Sequence, residues 1–203
     1  MKIFHSHASP YVRKCLVAAH ELGLAKRIEF LPSAAHPVNR DQSIVARNPL
    51  GKVPTFIADD GTVLYDSRVI CEYLDAMGGG RLFPPSGPAR WTALVEQALG
   101  DGIMDAAVLA RYETNVRPEQ LRWADWTAGQ LDKVTTGLAE IERRAGGFGE
   151  RVDIGTITSG CALGYLDLRY ASLRWRDGRP AAAAWFARFA ARDSMKATQP
   201  PAA

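Results

Sequence analysis

The sequence predicts a small α/β domain followed by an all-helical one, and three observations carry that prediction. Strand and helix signals alternate as β-α-β-α-β-β-α as far as Met77. A glycine- and proline-rich break then interrupts the alternation: Gly78-Gly79-Gly80, followed by Leu82-Phe83-Pro84-Pro85-Ser86-Gly87-Pro88. Beyond it, helical periodicity runs almost to the end of the chain. The expected division is an α/β domain at 1–78, an ordered linker at 79–88 and a helical domain at 89–203.

Met1 to His5 is a short strand candidate, followed by a loop of small polar residues. Ser9-Pro10 opens a helix, with Ser9 as its N-cap and Pro10 at the first position, where a missing N–H does no harm. Val12, Cys15, Leu16, Ala19 and Leu22 give that helix an apolar face, and Gly23 ends it. Ile28 to Leu31 reads as a second strand and Asp41 to Ala46 as a short helix; strand-helix-strand units imply some parallel pairing.

Asn48-Pro49-Leu50-Gly51-Lys52-Val53-Pro54 leads into the third strand, which Pro54 opens at the one place in a sheet where its lack of an N–H is tolerated. An X-Pro bond costs only about 0.5–1 kcal/mol to hold cis, so packing can hold Val53-Pro54 there, with the main chain of Val53 left to pair with an extended peptide ligand. The hairpin is Thr55 to Ala58, the turn Asp59-Asp60-Gly61, and Thr62 to Tyr65. Asp66-Ser67 caps a helix whose apolar positions are Val69, Ile70, Tyr73, Leu74 and Met77. A peptide-pairing edge beside a helix N-terminus suits a small peptide with a free carboxylate.

In the second half, Trp91 to Asn115 is long and amphipathic, and Pro118 is expected to start a helix running towards Arg144. Asp153 caps the next helix, in the order Asp153-Ile154-Gly155-Thr156; Thr156 is expected to be short for the reciprocal bond, giving a weak capping box. Arg179-Pro180 opens a last, alanine-rich helix that ends near Asp193. No internal repeat is visible.

Bulk properties narrow the function. The 203 residues are 47% hydrophobic and 23% charged, with a net charge of +3, an ordinary balance that gives no reason to expect nucleic acid. The chain shows no secretory signal and no apolar run long enough for a bilayer, which points to a cytoplasmic protein off the membrane. Cys15, Cys71 and Cys161 are odd in number and far apart, read as reduced thiols without metal-ligand spacing, so no metal is expected.

Four motifs, in order and across the whole chain, resemble those of the glutathione S-transferase family: Ser9-Pro10-Tyr11-Val12-Arg13-Lys14, Asn48 to Pro54, Asp66-Ser67-Arg68-Val69-Ile70, and Cys161-Ala162-Leu163-Gly164-Tyr165-Leu166-Asp167. The resemblance implies a thioredoxin-like N-terminal domain that binds glutathione as co-substrate, a helical C-terminal domain that shapes a second-substrate pocket, and a homodimer. It implies that the Ser9 hydroxyl donates to the glutathione sulfur and favours the thiolate, with Tyr11 as the rival donor. Val53, ahead of Pro54, is then expected to pair main chain to main chain with the cysteinyl residue. Ser67 and the helix amides hold the γ-glutamyl carboxylate, and Asp66 receives the ammonium. Lys52 is a lesser candidate for the glycyl carboxylate. Helix spacing and the family layout together put Tyr11, Met104, Val108, Arg111 and Tyr112 at the second-substrate pocket.

Local readings compete with these. Ser9 and Asp66-Ser67 suffice as helix caps, and Met104 and Val108 as ordinary packing. Glutaredoxins carry Cys-Pro-Tyr-Cys where this chain has Ser9-Pro10-Tyr11-Val12, so both sulfurs of dithiol exchange are missing. His5 and His7 have no evident partner and read as strand-end and loop residues. The expectation is a detoxifying glutathione transferase acting on small, mostly apolar electrophiles. The alternatives are a specialised glutathione-dependent isomerase, dehalogenase or lyase, or a non-catalytic glutathione-binding protein of the same fold.

Overall fold

The structure, a computed structural model, describes residues 1–201. Its elements are β1 (Lys2–Phe4), α1 (Pro10–Glu21), β2 (Glu29–Leu31), α2 (Gln42–Val45), β3 (Thr55–Ile57), β4 (Val63–Leu64), α3 (Ser67–Met77), α4 (Gly87–Asn115), α5 (Ala124–Ala145), α6 (Ile154–Arg169), α7 (Pro180–Ala190) and α8 (Asp193–Ala197). All seven elements of the expected β-α-β-α-β-β-α order form, and helices follow as far as Ala197. The chain divides into two compact units, Met1–Arg90 with the segment from Asp193 onward, and Trp91–Arg192.

In the first unit, four strands lie in the order β2-β1-β3-β4. The β1-α1-β2 crossover makes β1 and β2 parallel, while β1 and β3, and β3 and β4, are antiparallel. Ile3 and Phe56, neighbours across the ladder, are fully buried. α1 and α3 pack together, burying Val12, Cys15, Leu16 and Ala19 of one and Ile70, Cys71 and Leu74 of the other, while Val69 and Met77, expected on the apolar face of α3, are exposed; the Cys15 and Cys71 sulfurs lie 3.9 Å apart as buried reduced thiols. The Asp75 carboxylate receives the backbone amides of Arg81, Leu82 and Phe83 at 2.7–3.0 Å and so orders the start of the linker. The alanine-rich helix does not run on to Asp193. It stops at Ala190, and a separate α8 docks on α1, where the Arg13 guanidinium donates to the Met195 carbonyl at 3.1 Å and the Ser194 hydroxyl to Glu21 at 2.5 Å.

The second unit contains two corrections. The helix expected from Pro118 begins at Ala124 instead, because Pro118 is extended (ψ 138°) and a 3₁₀ turn at Glu119–Leu121 follows it. The Glu113 carboxylate stabilises this detour by accepting from the Trp123 amide at 2.8 Å and from Arg117 at 2.7 Å. The capping box of α6 is complete, not weakened. The Asp153 carboxylate accepts from the Thr156 amide at 3.0 Å, and the Thr156 hydroxyl accepts from the Asp153 amide at 3.0 Å. The Thr156 hydroxyl sits on Cβ and is turned towards the start of the helix, which brings it within reach of the Asp153 amide without a longer side chain.

Arg151 bridges the Asp153 carboxylate and Glu96 on α4, each at 2.7 Å, and burial pushes the Glu96 carboxyl above its usual range against the pull of that arginine. Gly155 permits the approach, since a Cβ there would stand 2.7 Å from Glu96. Trp185, edge-on to Phe148 and stacked on Phe189 with ring centroids 4.8 Å from each, centres the aromatic core under α7. Among the described residues, no helix is long and apolar enough to cross a membrane.

Candidate functional site

Strand register gathers three segments at one end of the sheet. Phe4, which ends β1, pairs with Thr55, which begins β3, and Phe56 pairs with Leu64, which ends β4. The loop to Ser9, the Lys52-Val53-Pro54 segment and the Asp66-Ser67 helix start therefore all leave the sheet from the same end.

Ser9 is half-buried, and its Oγ accepts a long 3.3 Å bond from the Val12 amide as the N-cap of α1. The first turn of α1 holds no acidic residue, so no carboxylate competes there for the partial positive charge of the helix end. A hydroxyl has one proton and two lone pairs. Capping uses a lone pair, and the proton remains for an anion. The two readings of Ser9 are thus compatible.

Val53 is half-buried, its peptide bond to Pro54 is cis, and its N–H and C=O make no backbone hydrogen bond among the described residues. The segment is held by a polar knot that sequence reasoning missed. Asn48, 1% exposed, donates from Nδ2 to the Thr55 hydroxyl at 2.8 Å and accepts on Oδ1 from the Leu50 amide at 3.0 Å. Thr55 in turn donates to the Lys52 carbonyl at 2.7 Å. Gly51 closes the turn at φ +61°, with Arg40 and Val45 within 3.2 Å of where a Cβ would be. Asn-Pro was visible as a turn signal; that the amide is buried with partners on both its atoms was not. Lys52 itself is exposed.

At the third segment, Asp66 is exposed and caps α3 by accepting from the Arg68 amide at 2.9 Å, while Ser67 is buried. The Cys15 thiol points at the Ser67 carbonyl at 3.8 Å, joining the first turns of α1 to the start of α3. His5 stacks on Phe30 (4.7 Å, 20°) and meets His7 edge-on at 4.2 Å. Partial burial, and then the neighbouring His7, hold its pKa below the usual histidine value.

In the helical unit, Met104, Val108, Arg111 and Tyr112 lie at i, i+4, i+7 and i+8 of α4, one face that grades from buried Met104 to Tyr112 at 39% exposure. Tyr11, the fifth residue expected at the second-substrate pocket, belongs to the other unit. Sequence reasoning missed Tyr165, Arg169 and Tyr170 beside that face. Burial, and next the nearby Tyr170, push the Tyr165 phenol up to about 12, with Arg111 and Arg169 opposing.

The N-terminal domain of glutathione S-transferases matches residues 8–77, and the C-terminal domain of glutathione S-transferases matches residues 124–188. The chain belongs to the glutathione S-transferase family. A solved glutathione transferase family member from Pseudomonas fluorescens Pf-5, crystallised with bound glutathione, is 46% identical over 98% of both chains with a TM-score of 0.96. A second structure from that organism holds S-(propanoic acid)-glutathione and is 45% identical over 99% of this chain and 100% of that one, with a TM-score of 0.91. The uncharacterised GST-like protein YibF of Escherichia coli K12 is 31% identical over 100% of both chains. Elongation factor 1-gamma of Danio rerio is 26% identical over 85% of this chain, which spans 40% of that protein. The glutathione S-transferase fold is thus this chain's fold, a mixed four-stranded sheet in an N-terminal thioredoxin-like domain and helices after it.

Proposed function

We propose that this chain is a glutathione transferase in which Ser9 stabilises the glutathione thiolate for attack on a small electrophile. The observation that carries this reading is the register that brings Ser9, Val53 and Asp66-Ser67 to one end of the sheet. Each offers a different chemistry. Ser9 presents a hydroxyl proton at the positive end of α1, Val53 an unpaired peptide N–H and C=O, and the start of α3 a carboxylate beside backbone donors. A γ-glutamyl tripeptide has the complementary groups in that order: a sulfur, a peptide link, and an ammonium with a carboxylate. Lys52 at the turn is free to meet the glycyl carboxylate. The relatives crystallised with glutathione, and with its S-propanoic acid adduct, support the choice of peptide.

A free thiol near pKa 8.5 is mostly protonated at pH 7, and the thiolate is the nucleophile. Donation from Ser9, with the dipole of α1, lowers that pKa on binding. The thiolate then displaces a leaving group or adds to an activated carbon; the face of α4 with Met104, Val108, Arg111 and Tyr112 is the helical unit's candidate for second-substrate contacts, and Tyr11 is the α/β unit's. The protein works as a homodimer in the cytoplasm, where its three reduced cysteines suit the redox state. Detoxification of electrophiles is the corresponding role.

Calorimetry with glutathione and turnover with a panel of electrophiles test this. Ser9→Ala is expected to lower kcat/KM by about 10- to 100-fold, the size of one hydrogen bond to a charged group, while glutathione still binds. Wild-type-like turnover in that variant removes Ser9 from the mechanism, and a chain that binds no glutathione is not this enzyme.

A further inference from the structure

The first turns of α1 contain a charge that the role given to Ser9 leaves unused. Arg13 lies one turn after Ser9, and its amide donates to the Ser9 carbonyl at 3.0 Å. Residues four apart share a face of a helix, and their side chains lean towards its N-terminus, so Arg13 and Ser9 stand on one face at that end. The Arg13 side chain is nonetheless buried, at 9% exposure. Its guanidinium donates to the Met195 carbonyl of α8 at 3.1 Å, while Nε is buried with no hydrogen-bond partner among the described residues. α1 and α8 belong to the same compact unit.

This charge is not neutralised. Elsewhere in the unit arginines meet carboxylates, Arg27 facing Asp59 and Arg90 facing Glu72. Arg13 makes no ion pair among the described residues, and the first turn of α1 holds no acidic residue. Glu21, the acidic residue of α1, stands at the far end of the helix and accepts from the Ser194 hydroxyl of α8. The short helix is thus fastened to α1 near both ends, and one fastening is a buried cation. Such a cation costs stability that an apolar side chain of similar volume would not. In the same low-dielectric setting it acts over a longer distance than an exposed charge does.

We propose that Arg13 is a remote electrostatic residue of the glutathione site: its buried charge, fixed by α8, favours ionisation of the bound thiol through space. The proposal rests on the reading of this unit as the glutathione site and adds a source of thiolate stabilisation independent of the Ser9 hydroxyl. On ionisation the S–H bonding pair stays on sulfur and the proton passes to solvent.

The test titrates the thiolate absorbance of the glutathione complex in the full chain. Arg13→Gln keeps a donor for the Met195 carbonyl without the charge, and is expected to raise the ionisation midpoint by about 0.5–1 pH unit. Arg13→Met, a second neutral variant, is expected to give the same rise, and Arg13→Lys, which keeps the charge, to recover at least half of it. The rise is expected to persist in a Ser9→Ala background, because the charge acts on sulfur and not through the hydroxyl. Calorimetric binding of S-methylglutathione, which has no thiol proton, is expected to stay within twofold of wild type in all three variants. An unchanged midpoint in the neutral variants overturns the proposal, as does a tenfold loss of S-methylglutathione affinity, which would make Arg13 a scaffold residue only. Both outcomes leave the transferase reading intact. A wild-type chain that binds neither glutathione nor S-methylglutathione overturns both.

Discussion

At the scale of single residues, the site depends on groups that serve two purposes at once. Ser9 caps α1 with a lone pair and keeps a proton for sulfur, so its local and functional readings, which are indistinguishable in the sequence, coexist in the structure. The fold perturbs the titration of His5. Its pKa is lowered in the fold, so as pH falls the unfolded chain takes up the proton first, near 6.5. The sign follows: the folded state loses stability as pH drops from about 6.5 towards the lowered value, and regains it above. His5→Phe keeps the stack on Phe30 and removes the titrating ring. Thermal melts between pH 7.5 and 5.5 are expected to show a shallower fall in Tm for this variant, and an unchanged slope would contradict the assignment. Arg169 is the opposite case, a guanidinium whose buried Nε has no hydrogen-bond partner among the described residues.

At the scale of elements, most of the first unit was legible because local chemistry and global fold agree there. Ser9-Pro10, Asp41 and Asp66 each carry a side chain that caps, and each begins the helix it signals. The misses have physical causes. Pro118 can begin a helix by its own geometry, but the Glu113 carboxylate holds the following turn and delays α5 to Ala124. The Asp153-Thr156 box looked weak because side-chain length was weighed without the orientation of the Thr156 hydroxyl. The Asn48-Thr55-Lys52 knot was invisible because burial of an amide follows from tertiary packing, not from spacing. Asn48→Ala leaves the Thr55 hydroxyl and the Leu50 amide short of a partner, and is expected to cost about 1–3 kcal/mol in denaturant melts and to weaken glutathione binding. Unchanged stability would mean that the turn holds Val53 without the knot. In the helical unit, Gly155→Ala would drive a methyl to 2.7 Å from Glu96, with an expected loss of about 1–3 kcal/mol; a melt like wild type would show that α4 and α6 can part there at no cost.

At the scale of the whole molecule, family membership settles the fold and leaves the chemistry to the site, since one fold serves many reactions. Elongation factor 1-gamma, similar over 85% of this chain, illustrates how far a shared domain can be put to other uses. What separates an enzyme from a binding protein here is the ionisation of the bound sulfur. Ultraviolet absorbance of the thiolate in the glutathione complex, titrated from pH 5 to 9 in wild type and in Ser9→Ala, measures it directly. The account predicts a wild-type complex that ionises below the free thiol value of about 8.5, and a Ser9→Ala complex that shifts back towards it. The same titration midpoint in both proteins would contradict the role assigned to Ser9.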